Sequence, residues 1–69
     1  MSKQFGERLA EIRQARHMTV REVARRTGIH KDTIANYENN RREPTLSFAV
    51  AVAQVLEVSL DCLAMGEVK

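Results

Sequence analysis

The stretch Lys31 to Arg42, KDTIANYENNRR, is crowded with side chains that can recognise the edges of nucleic-acid bases. An asparagine amide grips adenine through paired hydrogen bonds, and a lysine donates to guanine acceptors. A threonine hydrogen-bonds or meets a thymine methyl, and an aspartate accepts from a cytosine amine. Asn36, Lys31, Thr33 and Asp32 supply these chemistries close together. Each good bidentate pair gives roughly 1–3 kcal/mol of discrimination. Two of the four also have a plainer use. Asp32 can stabilise a helix N-terminus, and Lys31 can touch a phosphate instead of a base.

Candidates for the sugar-phosphate backbone surround this set. Arg41 and Arg42 come first, with Thr19, Arg21, His30 and Asn40 as a second tier. Asn39 suits a phosphate contact or a helix terminus better than base reading. Phosphate contacts set register and carry no sequence information; their mark is a steep loss of affinity with salt. Seven of the eleven basic residues lie between Arg16 and Arg42, against only Glu22, Asp32 and Glu38. Such a patch favours a polyanionic partner, and a solvated surface is the alternative. Arg25 and Arg26 have no assignment of this kind.

Nothing in the sequence supports catalysis. His17, His30 and Cys62 lack the spacing of metal ligands or of a nucleophile and its base, and no glycine-rich loop cradles a phosphate. No cofactor, metal ion or small-molecule ligand is expected.

The elements that must hold these groups read as helices throughout, with no alternating strand pattern. Helix 3 begins near Lys31. At about 100° per residue, Ile34 and Tyr37 define its inward side. Asp32, Ala35, Asn36 and Asn39 then lie opposite, flanked by Lys31 and Thr33. The helix stops at Asn39–Asn40, and Pro44 forbids continuation. Phe5, Leu9 and Ile12 place helix 1 over about Ser2 to Arg16. Thr19 followed by Glu22 reads as a reciprocal capping box, so helix 2 runs about Val20 to Thr27 and stops at Gly28. Thr45 caps helix 4, about Leu46 to Leu56, and Ser59 caps helix 5, about Leu60 to Met65, closed by Gly66. The short link around Gly28 and Ile29 forces a large angle between helices 2 and 3, which is helix-turn-helix geometry. Ala24 permits close approach, and Ile34 pins helix 3 to the core.

The 69 residues suit a single domain over 1–69, all-α, with five helices. A lone cysteine and no signal-like segment point to a reducing cytoplasm. The longest mostly apolar run, Phe48 to Leu56, is too short to cross a bilayer.

Several motifs carry a resemblance over about residues 5 to 66. They are Arg13, "MT…EVA" from Met18 to Ala24, "TGI" from Thr27, "TIANYE" from Thr33, "RREP" from Arg41 and "VSLDCL" from Val58. In these the chain resembles the XRE-type helix-turn-helix family, the DNA-binding domains of phage repressors and Cro. The resemblance implies a five-helix repressor-like bundle that binds double-stranded operator DNA, usually as a dimer. It also implies phosphate clamping by Arg41 and Arg42, and a structural ion pair between Arg13 and Glu38. The chain departs from the family at four positions. Val20 stands where a glutamine often touches the DNA or orients the recognition helix, and His30 where a serine or threonine caps helix 3. Asn40 replaces a common glycine. Glu57 replaces a glycine or asparagine, at a small strain if its φ is positive.

The expected function is a sequence-specific transcriptional regulator in a prokaryotic or phage setting, cytoplasmic and nucleoid-associated, acting as a homodimer on a palindrome. Helix 4 is apolar around more of its surface than a surface helix needs. Core packing accounts for that, or else helices 4 and 5 and the C-terminal tail form a two-fold interface. Cys62, with Met65, reads as partly exposed or interfacial. The alternative is a protein-interaction module or antitoxin that docks a partner protein.

Overall fold

The computed structural model describes residues 5–65, which form five α-helices and no strand. They are α1 Phe5–Ala15, α2 Val20–Thr27, α3 Lys31–Glu38, α4 Leu46–Leu56 and α5 Leu60–Met65. The all-α, five-helix architecture read from the sequence is the one found. The expected helix start at Ser2, the Gly66 stop and the tail Glu67–Lys69 lie outside the described residues.

Helices α2 to α5 each begin on a side chain that accepts an otherwise unpaired amide. Thr19 Oγ1 accepts from the Glu22 amide at 3.0 Å, and His30 Nδ1 from the Asp32 amide at 3.1 Å. Thr45 Oγ1 accepts from Phe48 at 3.1 Å, and Ser59 Oγ from Cys62 at 3.0 Å. A cap of this kind typically contributes about 1 kcal/mol. The capping box at α2 is only half made. Glu22 turns its carboxylate to Arg25 at 2.8 Å and Arg26 at 2.9 Å, rather than back to the Thr19 amide. Neighbours three and four residues on along a helix lie within easy reach, and here two guanidinium groups outcompete one amide.

The stops rely on the left-handed region. Gly28, at φ 77°, donates its amide to Ala24 and ends α2. His17, Asn40 and Glu57 adopt φ of 59°, 59° and 60°, although each carries a Cβ. Each closes a Schellman turn. Met18 N donates to Arg13 O at 3.1 Å, Arg41 N to Asn36 O at 2.9 Å and Val58 N to Ala53 O at 3.1 Å. A left-handed residue other than glycine costs roughly 1–2 kcal/mol. Glu57 therefore carries the strain expected of it, and His17 carries the same.

The core is Leu9, Val23, Ile34, Tyr37, Phe48, Ala49, Val52, Ala53, Leu56 and Leu63. α1 packs on α3 and α5, α2 on α3 and α4, and α4 on α5. The stripe Phe48, Val52, Leu56 faces inward on α4, as helical spacing requires. α1 meets the end of α3 so closely that only glycine fits at Gly6. A Cβ there would meet the Tyr37 carbonyl, Asn40 Oδ1 at 2.6 Å and the Glu38 carbonyl at 2.7 Å. Arg8 ties α1 to the end of α5, donating from Nε to Leu63 O at 2.8 Å and from Nη2 to Ala64 O. Among the described residues no helix is long and apolar enough to cross a membrane.

Candidate nucleic-acid interface

α3 is a short helix with one side sealed. Ile34 is 0 % exposed and Tyr37 4 %. Tyr37 stacks on Phe48 with ring centroids 3.8 Å apart, and Phe5 meets Phe48 edge-on at 6.2 Å. Lys31, Asp32 and Asn39 are exposed, whereas Thr33, Ala35 and Asn36 are half-buried. The four base-reading candidates therefore keep access to the surface, with Lys31 and Asp32 standing furthest out. Lys31 Nζ lies 3.4 Å from Asp32 Oδ1, an exposed pair of modest worth.

The brace behind α3 is an ion pair. Arg13 Nε donates to Glu38 Oε2 at 2.7 Å and Arg13 Nη2 to Glu38 Oε1 at 3.1 Å, a bidentate fork. A third Arg13 nitrogen donates to Met18 O at 2.8 Å. Both side chains are largely buried, at 13 % and 10 % exposure. Thus α1 holds the last turn of α3, and the loop before α2, through one guanidinium.

The phosphate candidates fall into two groups, one at each end of α3. Arg21, His30 and Lys31 share a shallow groove of about 520 Å³ with Ala24, Arg25, Gly28 and Ile29. Asn40, Arg41 and Arg42 line a second cleft of about 290 Å³ with Phe5, Glu43 and Pro44. Eight residues at 1.5 Å each separate the groups by roughly 12 Å, which is about the width of a major groove. Thr19 is exposed at the start of α2, its hydroxyl oxygen already accepting the Glu22 amide.

Several groups have partners that the sequence did not reveal. Asn40 Oδ1 accepts from the Gly6 amide at 3.0 Å, which fastens the α3 stop to α1. The Arg42 guanidinium lies 5.7 Å from the Tyr37 ring centroid, a cation–π placement. Arg25 and Arg26 both pair with Glu22. The hydrogen bond from Arg25, with Arg26 adding, holds the Glu22 carboxyl below its ordinary value. Val20 packs against the core and offers no polar group to a ligand. Leu46, 71 % exposed, and Val50, 38 % exposed, sit one turn apart on α4 as a small apolar patch. Cys62 is half-buried. Among the described residues, no cluster of His, Cys, Asp and Glu could hold a metal ion.

A profile of helix-turn-helix domains matches residues 9–61. The chain belongs to the helix-turn-helix family. Within that family it is 33% identical over 63 residues to the uncharacterized HTH-type transcriptional regulator YqaE of Bacillus subtilis (strain 168), covering 91% of this chain and 54% of that protein. It is 35% identical over 57 residues to antitoxin HipB of Escherichia coli (strain K12), covering 83% and 65%. The crystal structure of SinR, the master regulator for biofilm formation, in complex with DNA superposes with a TM-score of 0.83 at 28% identity, covering 87% of this chain and 97% of that one. The chain spans about half the length of several of its curated helix-turn-helix relatives.

Proposed function

We propose that this helix-turn-helix domain binds double-stranded DNA sequence-specifically and regulates transcription, with α3 in the major groove. The observation that carries this reading is the construction of α3. Its Ile34 and Tyr37 side is sealed, its Lys31 and Asp32 side stands exposed, and a cationic group flanks each end. In this reading Lys31, Asp32, Thr33 and Asn36 meet base edges. Thr19, Arg21, His30, Asn39, Asn40, Arg41 and Arg42 meet phosphates, and Arg13 with Glu38 keeps α3 at its angle. The similarity to transcriptional regulators and to the SinR structure with DNA supports it.

We further propose a two-fold dimer through α4, α5 and the C-terminal tail, placing two α3 helices about 34 Å apart on a palindrome. The exposed Leu46 and Val50 give α4 an apolar contact surface. Such a protein works at the nucleoid, in the cytoplasm. Selection of bound sequences from random duplex DNA tests both parts. A palindromic winner is expected; no enrichment removes the reading, and a winner without symmetry removes the dimer.

Two observations favour a second reading. The similarity to antitoxin HipB and the Leu46–Val50 patch suit a module that docks a partner protein. Charge reversal of Arg41 separates the two. Loss of DNA binding with a partner still bound assigns the docking surface elsewhere on the domain.

A further inference from the structure

The side chain that caps α3 is titratable. His30 Nδ1 accepts the Asp32 amide hydrogen at 3.1 Å. An imidazole nitrogen accepts only while it keeps its lone pair, so this cap requires a neutral ring with its proton on Nε2. The same Nδ1 lies 3.8 Å from Asp32 Oδ2. When the ring takes a second proton, Nδ1 becomes a donor. It must then release the amide, and the Asp32 carboxylate is at hand to receive its new hydrogen. The remaining charged groups around the ring are Arg21 and Arg25 from α2 and Lys31 from α3, which line the same groove. Glu22, the carboxylate on that side of α2, is held by Arg25 and Arg26.

We propose that His30 is a positioning residue that sets how well α3 discriminates between DNA sequences, through its protonation state. The proposal rests on the DNA-binding reading above. The neutral ring holds the first turn of α3 and leaves Asp32 to read a base. The charged ring lets that turn loosen, places a cation at the positive end of the helix, and takes Asp32 for itself. A serine or threonine cap has no such dependence, because histidine alone of these changes charge between pH 5 and 8. The charged ring also attracts phosphate and so strengthens binding to any duplex. That gain multiplies specific and non-specific affinity alike and cancels from their ratio.

The test measures the ratio of affinities for a selected duplex and a random duplex of equal length, from about pH 8 to about pH 5.5 at fixed ionic strength. In the wild-type chain the ratio falls about three- to tenfold, the scale of one lost cap. The loss concentrates at the base pair that Asp32 meets. His30→Ser loses the phosphate contact, which lowers both affinities, but keeps a cap at every pH, so its ratio does not change with pH; His30→Ala gives a flat ratio below that of His30→Ser. His17 is present in all three chains, so whatever it contributes drops out of the comparison. In the DNA-free protein, the protection of the Asp32 amide, its exchange rate relative to the intrinsic rate at each pH, falls as the ring charges, and stays constant in His30→Ser. A wild-type ratio that stays flat, or falls equally in His30→Ser, overturns the proposal and leaves DNA binding intact. If selection enriches no sequence, the reading beneath it fails, and with it the proposal.

Discussion

At its C-terminal end α3 is fastened by three contacts, two to α1 and one to α4. Arg13 forks onto Glu38, Asn40 receives the Gly6 amide, and Tyr37 lies flat on Phe48. At its N-terminal end it is held by a histidine cap and an exposed lysine–aspartate pair. The first set is mostly buried and crosses between helices; the second is exposed and local. One end therefore fixes where the helix points, and the other is left free enough to meet something outside the fold. The molecule concentrates its interhelical contacts at the end of α3 away from Lys31 and Asp32.

Substitutions test that division, most severely at the buried end. Glu38→Ala strands the Arg13 guanidinium in a largely buried place, which costs about 3–5 kcal/mol. Thermal unfolding should drop by more than about 12 °C in a domain of this size, and DNA binding should fail with the fold. A Glu38→Ala protein that melts like the parent yet no longer binds DNA would remove the bracing role. Gly6→Ala forces a methyl against the Tyr37 and Glu38 carbonyls, for a loss of about 1–3 kcal/mol in chemical denaturation.

A matched pair isolates the Asn40 clamp. His17→Gly relieves a left-handed residue and should gain about 1 kcal/mol. Asn40→Gly relieves a smaller strain, because asparagine tolerates the left-handed region better than histidine, and gives up the hydrogen bond from Gly6, worth about 1 kcal/mol, so it should be neutral to slightly destabilising. Equal gains in the two variants would show that the clamp contributes nothing. At the free end, Lys31→Ala and Asp32→Ala should each change stability by less than about 0.5 kcal/mol. Their effect should appear instead in discrimination between duplexes, at about 1–3 kcal/mol per lost base contact.

The smallest effect belongs to α2, beside the free end. Arg25 and Arg26 hold the Glu22 carboxyl below its ordinary value. The stability this pairing contributes is present in full above the unfolded-state value, and is lost as pH falls through the lower folded one. The carboxylate is only half-buried and its arginine partners are exposed, so the loss should be a slight steepening of acid unfolding that Glu22→Gln abolishes.

The helices were legible because nearly every boundary carries a residue with a mechanism. Thr19, Thr45 and Ser59 accept an amide, Gly28 turns left-handed without a clash, and Pro44 blocks the ladder. The end of α1 had no such signal. His17 turns left-handed because Met18 must reach the core and Arg13 must reach Glu38, which are tertiary demands invisible to local spacing. Gly6 was silent for a similar reason: its need for glycine comes from carbonyls more than thirty residues away. Around α3, residue chemistry identified the polar candidates and Ile34 and Tyr37 as the inward side. It could not show that Asn40 is committed to Gly6, that Arg42 rests over Tyr37, or that Glu22 prefers two arginines to its own cap. Each of those choices is a competition among partners, and a sequence names the competitors without ranking their distances.

The grip of Arg8 on Leu63 and Ala64 joins the first described helix to the last. During synthesis, Leu9 must wait for Leu63 before its side of the core is covered. At translation rates of about 5–20 residues per second, that delay is roughly 3–11 s. Through that interval the emerging chain offers an uncovered apolar flank to chaperones and proteases. The finished domain can close only after α5 has cleared the ribosome.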